Sequence, residues 1–262
     1  MKRVYFGKNA AFGFLIIALA FLSIIFGFSQ VPAQELRVIN LPPVNKDRGD
    51  SLMTALSNRA SADSLSDRDL GLQDLSDLLW AAAGINRADI EKRTFPTAMN
   101  TQDTAVYLLM KDGVYVYDHE NHALKPVNSG DYRMSIALQM GGGGAPPSEA
   151  ARSGGPGGAP KGSTGGPSAG AGESDRKRIS TFAFSIILVS DPSQYPVGTD
   201  DLKNEWGTFS VGCVAQNIML FCSANNLGTR PRAAFDKDMV KKILKLTDTQ
   251  NPIIELPVGY PE

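Results

Sequence analysis

The sequence is poor in the residues that most often announce chemistry. Its 262 residues include two cysteines and two histidines. Cys213 and Cys222 stand nine apart in one helical pattern, about 13 Å of helix rise and beyond disulfide reach. Neither has a His or Cys at ligand spacing, so the pair reads as small buried hydrophobes, not as a zinc site or redox couple. No nucleophile elbow is present. The phosphate-loop pattern G-x-x-x-x-G-K-[ST] is missing even from the glycine-rich stretch, where Lys161 precedes Gly162. Strong charge is lacking too, with a formal net charge of −1 and no clustered basic face of the kind that binds nucleic acid. His119 and His122 fall in Asp118-His-Glu-Asn-His122, which reads as a solvated polar turn, with no metal expected.

What is present begins with a leader-like segment. Lys2, Arg3 and Lys8 precede an uncharged apolar run from Ala10 to Phe28, and Val31-Pro32-Ala33 suits a peptidase cut before Gln34. The run is longer than the roughly 7–15 residues of a signal core and approaches the roughly 18–20 that span a bilayer. Residues 1–33 are therefore expected to be a signal peptide or an N-terminal membrane anchor through residues 10–28. Either reading exports the remainder to the periplasmic or outer side, because the positive flank stays inside. The first 33 residues carry three Lys/Arg and no Asp/Glu, which leaves 23 basic against 27 acidic residues, a net −4.

Residues 34–50 are Pro-rich and polar, a linker by composition. Residues 51–262 then show alternating elements. Ser51 caps a short helix with apolar positions at Leu52, Met53 and Leu56. A second helix runs from Leu72 to Ala83, with Leu72, Leu75, Leu78, Leu79 and Ala82 on one face and Gly84 as its stop. Asp112-Gly113 between Thr104–Met110 and Val114–Tyr117 is a hairpin signal. Ala123–Val127 suggests another strand and Asp131–Gln139 a helix. Between Gly141 and Gly172 lie 13 of the 26 glycines, so 141–175 reads as a disordered insert without the apolar content to offset its ordering entropy. Thr181–Ser190 is continuously apolar, a central strand. A helix follows from Asp201 to Asn226, apolar almost all round over Val211–Leu220. A helix over Lys237–Leu246 and a strand over Asn251–Tyr260 close an α+β pattern.

Two segments could hold a ligand. Lys92–Gln102 is a polar, Pro-containing loop between elements. Thr229-Arg-Pro-Arg232 follows the long helix, where Arg230 and Arg232 could bind an anion or cap the helix carbonyls.

Together these segments resemble the nitroreductase superfamily, in particular its SagB-type (thiazole/oxazole dehydrogenase-like) branch, over Leu52–Tyr260. Arg59-Ala-Ser61-Ala-Asp63 resembles the R-x-S-x-R region and Leu78-Leu-Trp80-Ala-Ala-Ala-Gly84 the L-L-W-A-A-x-G helix. Pro96-Thr97-Ala-Met-Asn100-Thr-Gln102 is similar to the P-S-x-x-N-x-Q loop. Gly212–Leu220 with Asn226-Leu-Gly228-Thr229 resembles the G-x-x-x-Q-N helix and its G-L-G turn. The resemblance implies a central, mostly antiparallel sheet flanked by helices, an FMN cofactor, a homodimer and hydride transfer on a small molecule or peptide-derived substrate. It implies Arg59 and Ser61 at the FMN phosphate, with Arg232 as a second contact. Asn100 is implied at the flavin's polar edge with Thr97 beside it, and the Ala233 and Ala234 amides near N5. No side chain is needed as general acid, because the flavin carries the chemistry. Asp63 reverses the charge of the motif's second arginine. The alternative expectation is a non-catalytic exported relative with a degenerate flavin site, acting as a binding or dimerisation module. An exported enzyme would also need an electron donor other than cytoplasmic NAD(P)H, which the sequence does not specify.

Overall fold

Ordered structure begins earlier than composition suggests. The computed structural model describes residues 36–136 and 181–262, so the leader and the glycine-rich insert lie outside the described residues. The strands are β1 (Ile39–Asn40), β2 (Ile85–Arg87), β3 (Lys92–Arg93), β4 (Thr104–Leu109), β5 (Gly113–Asp118), β6 (Ala123–Ser129), β7 (Phe184–Ser190), β8 (Gly228–Thr229) and β9 (Asn251–Gly259). The helices are α1 (Leu52–Asn58), α2 (Leu72–Ala83), α3 (Asp200–Ala224) and α4 (Lys237–Leu244).

Seven strands form one sheet in the order β1-β6-β5-β4-β7-β9-β8, with β2 and β3 as a separate ribbon. Neighbours in the large sheet pair antiparallel, with Leu108 opposite Tyr115, Val106 opposite Leu188 and Ile186 opposite Leu256. Strand β7 is buried along its whole length, as its unbroken apolar run implies for a strand covered on both faces. One face packs Leu108, Ile186 and Leu256 against Leu75, Leu78 and Leu79 of α2 and Val211, Val214 and Ile218 of α3. The other packs Leu109, Ile187 and Val189 against Val240, Ile243 and Leu244 of α4. The expected α+β architecture, a central antiparallel sheet flanked by helices, is the observed one.

Three local expectations are corrected, and α1, a Ser51-capped helix as expected, turns its apolar positions to solvent. Residues 36–50 are no loose linker: β1 pairs with β6, Leu41 is buried, and Arg48 grips α2 and the end of α3. On α1 the apolar face points outward, with Leu52, Met53 and Leu56 exposed by 63, 74 and 45 % while Ala55 is buried. Residues 131–136 form a turn, not the start of a helix, and the rest of that expected helix lies outside the described residues. Over Val211–Leu220 helix α3 is buried on one side only, with Gly212 exposed. At Gly207 it crosses β7 so closely that a Cβ would meet Ser190 Oγ at 2.0 Å, and glycine is required there.

Candidate functional site

The C-terminal end of α3 is where backbone turns, a cleft and unpaired polar groups meet. Asn225 caps the helix, Asn226 takes the left-handed conformation (φ +55°), and Leu227 N–H returns to Cys222 O at 2.9 Å. The chain then enters β8 through Gly228, whose hypothetical Cβ would lie 2.5 Å from Leu65 Cδ2. That close approach lets residues 60–66 run along the sheet edge. Ala62 N–H donates to Thr229 O at 3.0 Å and Ser66 N–H to Tyr260 O at 2.8 Å.

Between these segments lies a cleft of about 370 Å³. Its polar lining comes from Asn58, Ser61, Ser223, Asn226 and Thr229, with Asp50 as the carboxylate. The Asp50 N–H also donates to Ala224 O, capping α3. Thr229 is 3 % exposed and its Oγ1 is buried without a hydrogen-bond partner. At the next residue, Arg230 Nε is likewise buried and unpartnered. Buried polar groups are usually satisfied in folded proteins, so the Thr229 hydroxyl in the cleft lining marks a place for a hydrogen-bonding ligand. Arg230 Nη2 donates to Asp63 Oδ1 at 3.0 Å, so the residue that reverses the motif's charge pairs with a cation from just after β8.

The expected site residues distribute unevenly. Ser61 lines the cleft. Arg59, at the end of α1, is exposed and has no side-chain partner among the described residues. Thr97 and Asn100 sit on the loop after β3 and do not line the cleft. This loop is strained: Met99, Asn100 and Gln102 all have positive φ, at 54°, 57° and 53°, and such non-glycine strain clusters at functional sites. Thr97 Oγ1 accepts from Gln102 N–H at 3.0 Å, which makes it the clamp of the loop. Behind the loop, Arg93 is buried and donates to Ala83 O and Thr104 O, with burial lowering its pKa to about 10. Arg232 does not line the cleft either; its Nη1 lies 3.8 Å from Oε2 of the buried Glu255. Backbone bonds in both directions tie Arg232 to Glu255, and Ala233 and Ala234 are exposed just beyond. Burial pushes the Glu255 carboxyl above its ordinary range, against the pull of Arg232 and of Ser185 Oγ at 2.8 Å.

The histidine turn is not solvated surface, a further correction. His122 Nε2 lies 2.7 Å from Ser76 Oγ and Nδ1 lies 2.9 Å from Tyr117 OH, while Ser76 Oγ donates to Pro42 O at 2.6 Å. With the Ser76 proton so committed, Nε2 carries the imidazole hydrogen and Tyr117 donates to Nδ1. Burial lowers the His122 pKa, which keeps the ring neutral and structural. Burial likewise pushes Cys222 up to about 12, leaving an inert thiol.

Asp50 and Glu255 escaped the sequence reading, since nothing local distinguishes them, whereas Thr229 falls in the expected ligand segment and lines the cleft. The charge reversal at Asp63 did carry a usable signal, because an uncompensated acid there invites a search for its cation.

The sequence profile of the Nitroreductase family matches residues 56–260. This chain belongs to the nitroreductase family. Its members are generally flavin-dependent oxidoreductases, and membership implies oxidoreductase activity. A putative nitroreductase from Ralstonia eutropha JMP134 has a similar structure, with 23 % identity, 87 % of this chain and 90 % of that chain covered, and a TM-score of 0.69. A putative nitroreductase from Anabaena variabilis ATCC 29413 shares 16 % identity at TM-score 0.56, over 80 % of this chain and 38 % of that one. The E. coli microcin synthetase McbBCD complex, solved with truncated pro-MccB17, matches at 16 % identity and TM-score 0.57, covering 100 % of this chain and 85 % of that chain. No curated protein matches. At these identities the likenesses establish the fold.

The hydroxyls of the lining fit the polyol part of a flavin nucleotide. Ser61, Ser223 and Thr229 suit a polyol chain, and Thr229 Oγ1 is without a partner among the described residues. Asp50 is the element of the lining that opposes an anion.

Proposed function

We propose that this protein is an FMN-dependent oxidoreductase acting on a small-molecule or peptide-derived substrate. The observation that carries the reading is the buried, unpartnered Thr229 Oγ1 in the lining of a hydroxyl-rich cleft, in a chain of nitroreductase fold. When bound, the flavin supplies the hydride transfer. The chain's own part is to bind and orient. Ser61 and Thr229 give hydrogen bonds to phosphate and ribityl oxygens, and Arg59 adds charge from an exposed position at the end of α1. The strained 97–102 loop, clamped by Thr97, would hold Asn100 for the polar edge of the ring. Ala233 and Ala234, exposed beyond Arg232, would offer backbone N–H donors to the ring. Arg232, tied to Glu255, supports that segment.

The outward apolar face of α1, Leu52, Met53 and Leu56, supports a homodimer. Such a dimer would have to bring the 97–102 and 232–234 segments, which do not line the cleft of their own chain, to the cofactor. The leader sequence supports export, with a quinone or protein as electron donor. A second reading, a non-catalytic relative, is favoured by Asp50 in the cleft and by the engagement of Arg230 with Asp63.

Anaerobic titration tests the activity. A flavin-loaded protein is expected to be reduced by a chemical donor and reoxidised by a quinone or nitroaromatic acceptor. Reduction without any acceptor-dependent reoxidation would favour the non-catalytic relative.

A further inference from the structure

We infer that Asp103 is the positioning residue of the 97–102 loop: its buried carboxyl group, gripped by Ser190 and Tyr195, holds Asn100 in the left-handed conformation in which it would meet the flavin. The role at the ligand rests on the flavin reading; the grip on the loop rests on this chain's own geometry.

The loop needs support from outside itself. Met99, Asn100 and Gln102 have φ of 54°, 57° and 53°, a region that residues other than glycine seldom occupy and that persists only where the surroundings over-determine it. Three of its amides close on the loop. Asn100 N–H donates to Thr97 O and Thr101 N–H to Ala98 O, both at 3.2 Å, and Gln102 N–H to Thr97 Oγ1 at 3.0 Å. These bonds shape the loop without fixing it to the sheet, and Gln102 Nε2 reaches only the exposed turn at Glu91.

Asp103, the next residue, makes the connection. It is 2 % exposed, and both carboxyl oxygens accept hydrogen bonds: Oδ2 from Ser190 Oγ at 2.6 Å and Oδ1 from Tyr195 OH at 2.9 Å. Its backbone O accepts from Asp191 N–H at 3.1 Å. The two side-chain donors stand 87 and 92 residues further along the chain, at the end of β7 and in the turn after it.

Both donors are themselves held. The Tyr195 ring centroid lies 5.3 Å from that of Trp206 on α3, and its hydroxyl contacts Thr101 of the loop and Ser210 of α3. Ser190 Oγ occupies the space that a Cβ at Gly207 would need. An apolar side chain at position 103 would fill the core without needing donors, whereas a buried carboxyl group is costly unless hydrogen bonds replace its water. Two directed bonds add a fixed orientation to mere burial, and they fix it at the residue where the left-handed stretch ends.

Hydrogen exchange and flavin binding are measured on the full chain and on Asp103→Asn, Tyr195→Phe and Ser190→Ala. Asn keeps the size of Asp but turns N–H donors toward one of the two hydroxyls. Asp103→Asn is expected to speed exchange of the Asn100, Thr101 and Gln102 amides at least about tenfold, with the β7 ladder amides changed less than about twofold. FMN and riboflavin, which share the ring, should weaken together by at least about fivefold. An Asn100→Gly background separates positioning from stability, because glycine accepts the left-handed backbone and removes the ring contact. There Asp103→Asn should weaken either flavin by less than about twofold. Full additivity in that background, or equal acceleration of loop and β7 amides, overturns the role. Tyr195→Phe and Ser190→Ala each remove one bond and should show the same loop-selective pattern at smaller size; they carry the test if Asp103→Asn does not fold. If the unmodified chain binds neither flavin, the flavin reading fails separately. Exchange alone then decides the role of Asp103: acceleration confined to the loop supports it, and uniform or absent acceleration overturns it.

Discussion

Arg48 Nη1 donates to the buried Oδ2 of Asp77 at 2.9 Å, and through this contact the segment before α1 is fastened to the domain. The same guanidinium reaches Asp74 Oδ1 at 2.7 Å and Asn225 Oδ1 at 2.7 Å, and lies over the Phe221 ring. One side chain thus joins the N-terminal segment, the start of α2 and the cap of α3, next to the cleft wall at Asp50.

Arg48→Ala is expected to destabilise the domain by about 2 kcal/mol, because it leaves the Asp77 carboxylate, 1 % exposed, with only the Asn45 and Gln73 donors. Urea unfolding measures the loss. Limited proteolysis within residues 36–50 should accelerate in step; unchanged protection would show that the segment holds without Arg48.

The Asp50 carboxylate opposes an anion in the cleft. Asp50→Asn keeps the side chain's size and leaves the backbone cap on Ala224 O intact. FMN affinity is expected to rise several-fold, from about 1 kcal/mol of relieved repulsion in a solvated cleft. Unaltered or weaker FMN binding in a fluorescence titration would place the phosphate away from Asp50.

Much of the fold was legible because burial and period coincide. The unbroken apolar run of β7, the Asp112-Gly113 turn and the leucine spacing of α2 each state their environment locally. The failures share a cause. Leu52, Met53 and Leu56 carry a proper helical stripe, but a stripe records that a face avoids water and not what covers it. Residues 36–50 look like a tether because one long-range contact set, centred on Arg48, orders them. At the site, Ser61 was legible by its motif. Glu255 was not, since a strand carboxylate acquires meaning only from partners distant in sequence.

The α1 face provides a test of assembly. Light scattering on the purified chain is expected to give a dimer, and Leu52→Glu with Met53→Glu a monomer. Both side chains are exposed within one chain, so the variant should keep its secondary structure. A monomeric unmodified protein, or a dimer indifferent to these charges, would remove the dimer from the account.

Glu255 makes a pH prediction. Burial raises its folded pKa above the ordinary 4.5, so between these values the folded state binds more protons than the unfolded one. Stability from this group is complete below the ordinary value and is lost as pH rises through the folded pKa. The stability difference between the unmodified protein and Glu255→Gln should shift progressively against the unmodified protein above pH 4.5. Parallel pH profiles from denaturant unfolding would show that Glu255 titrates as an ordinary carboxylate.

The flavin is the central claim. The hydroxyl-lined cleft at Ser61 and Thr229 exists in the folded chain, so FMN added to the purified protein should bind stoichiometrically, with its fluorescence quenched and its visible bands retained after desalting. A colourless protein that leaves added FMN free in the filtrate would contradict the account.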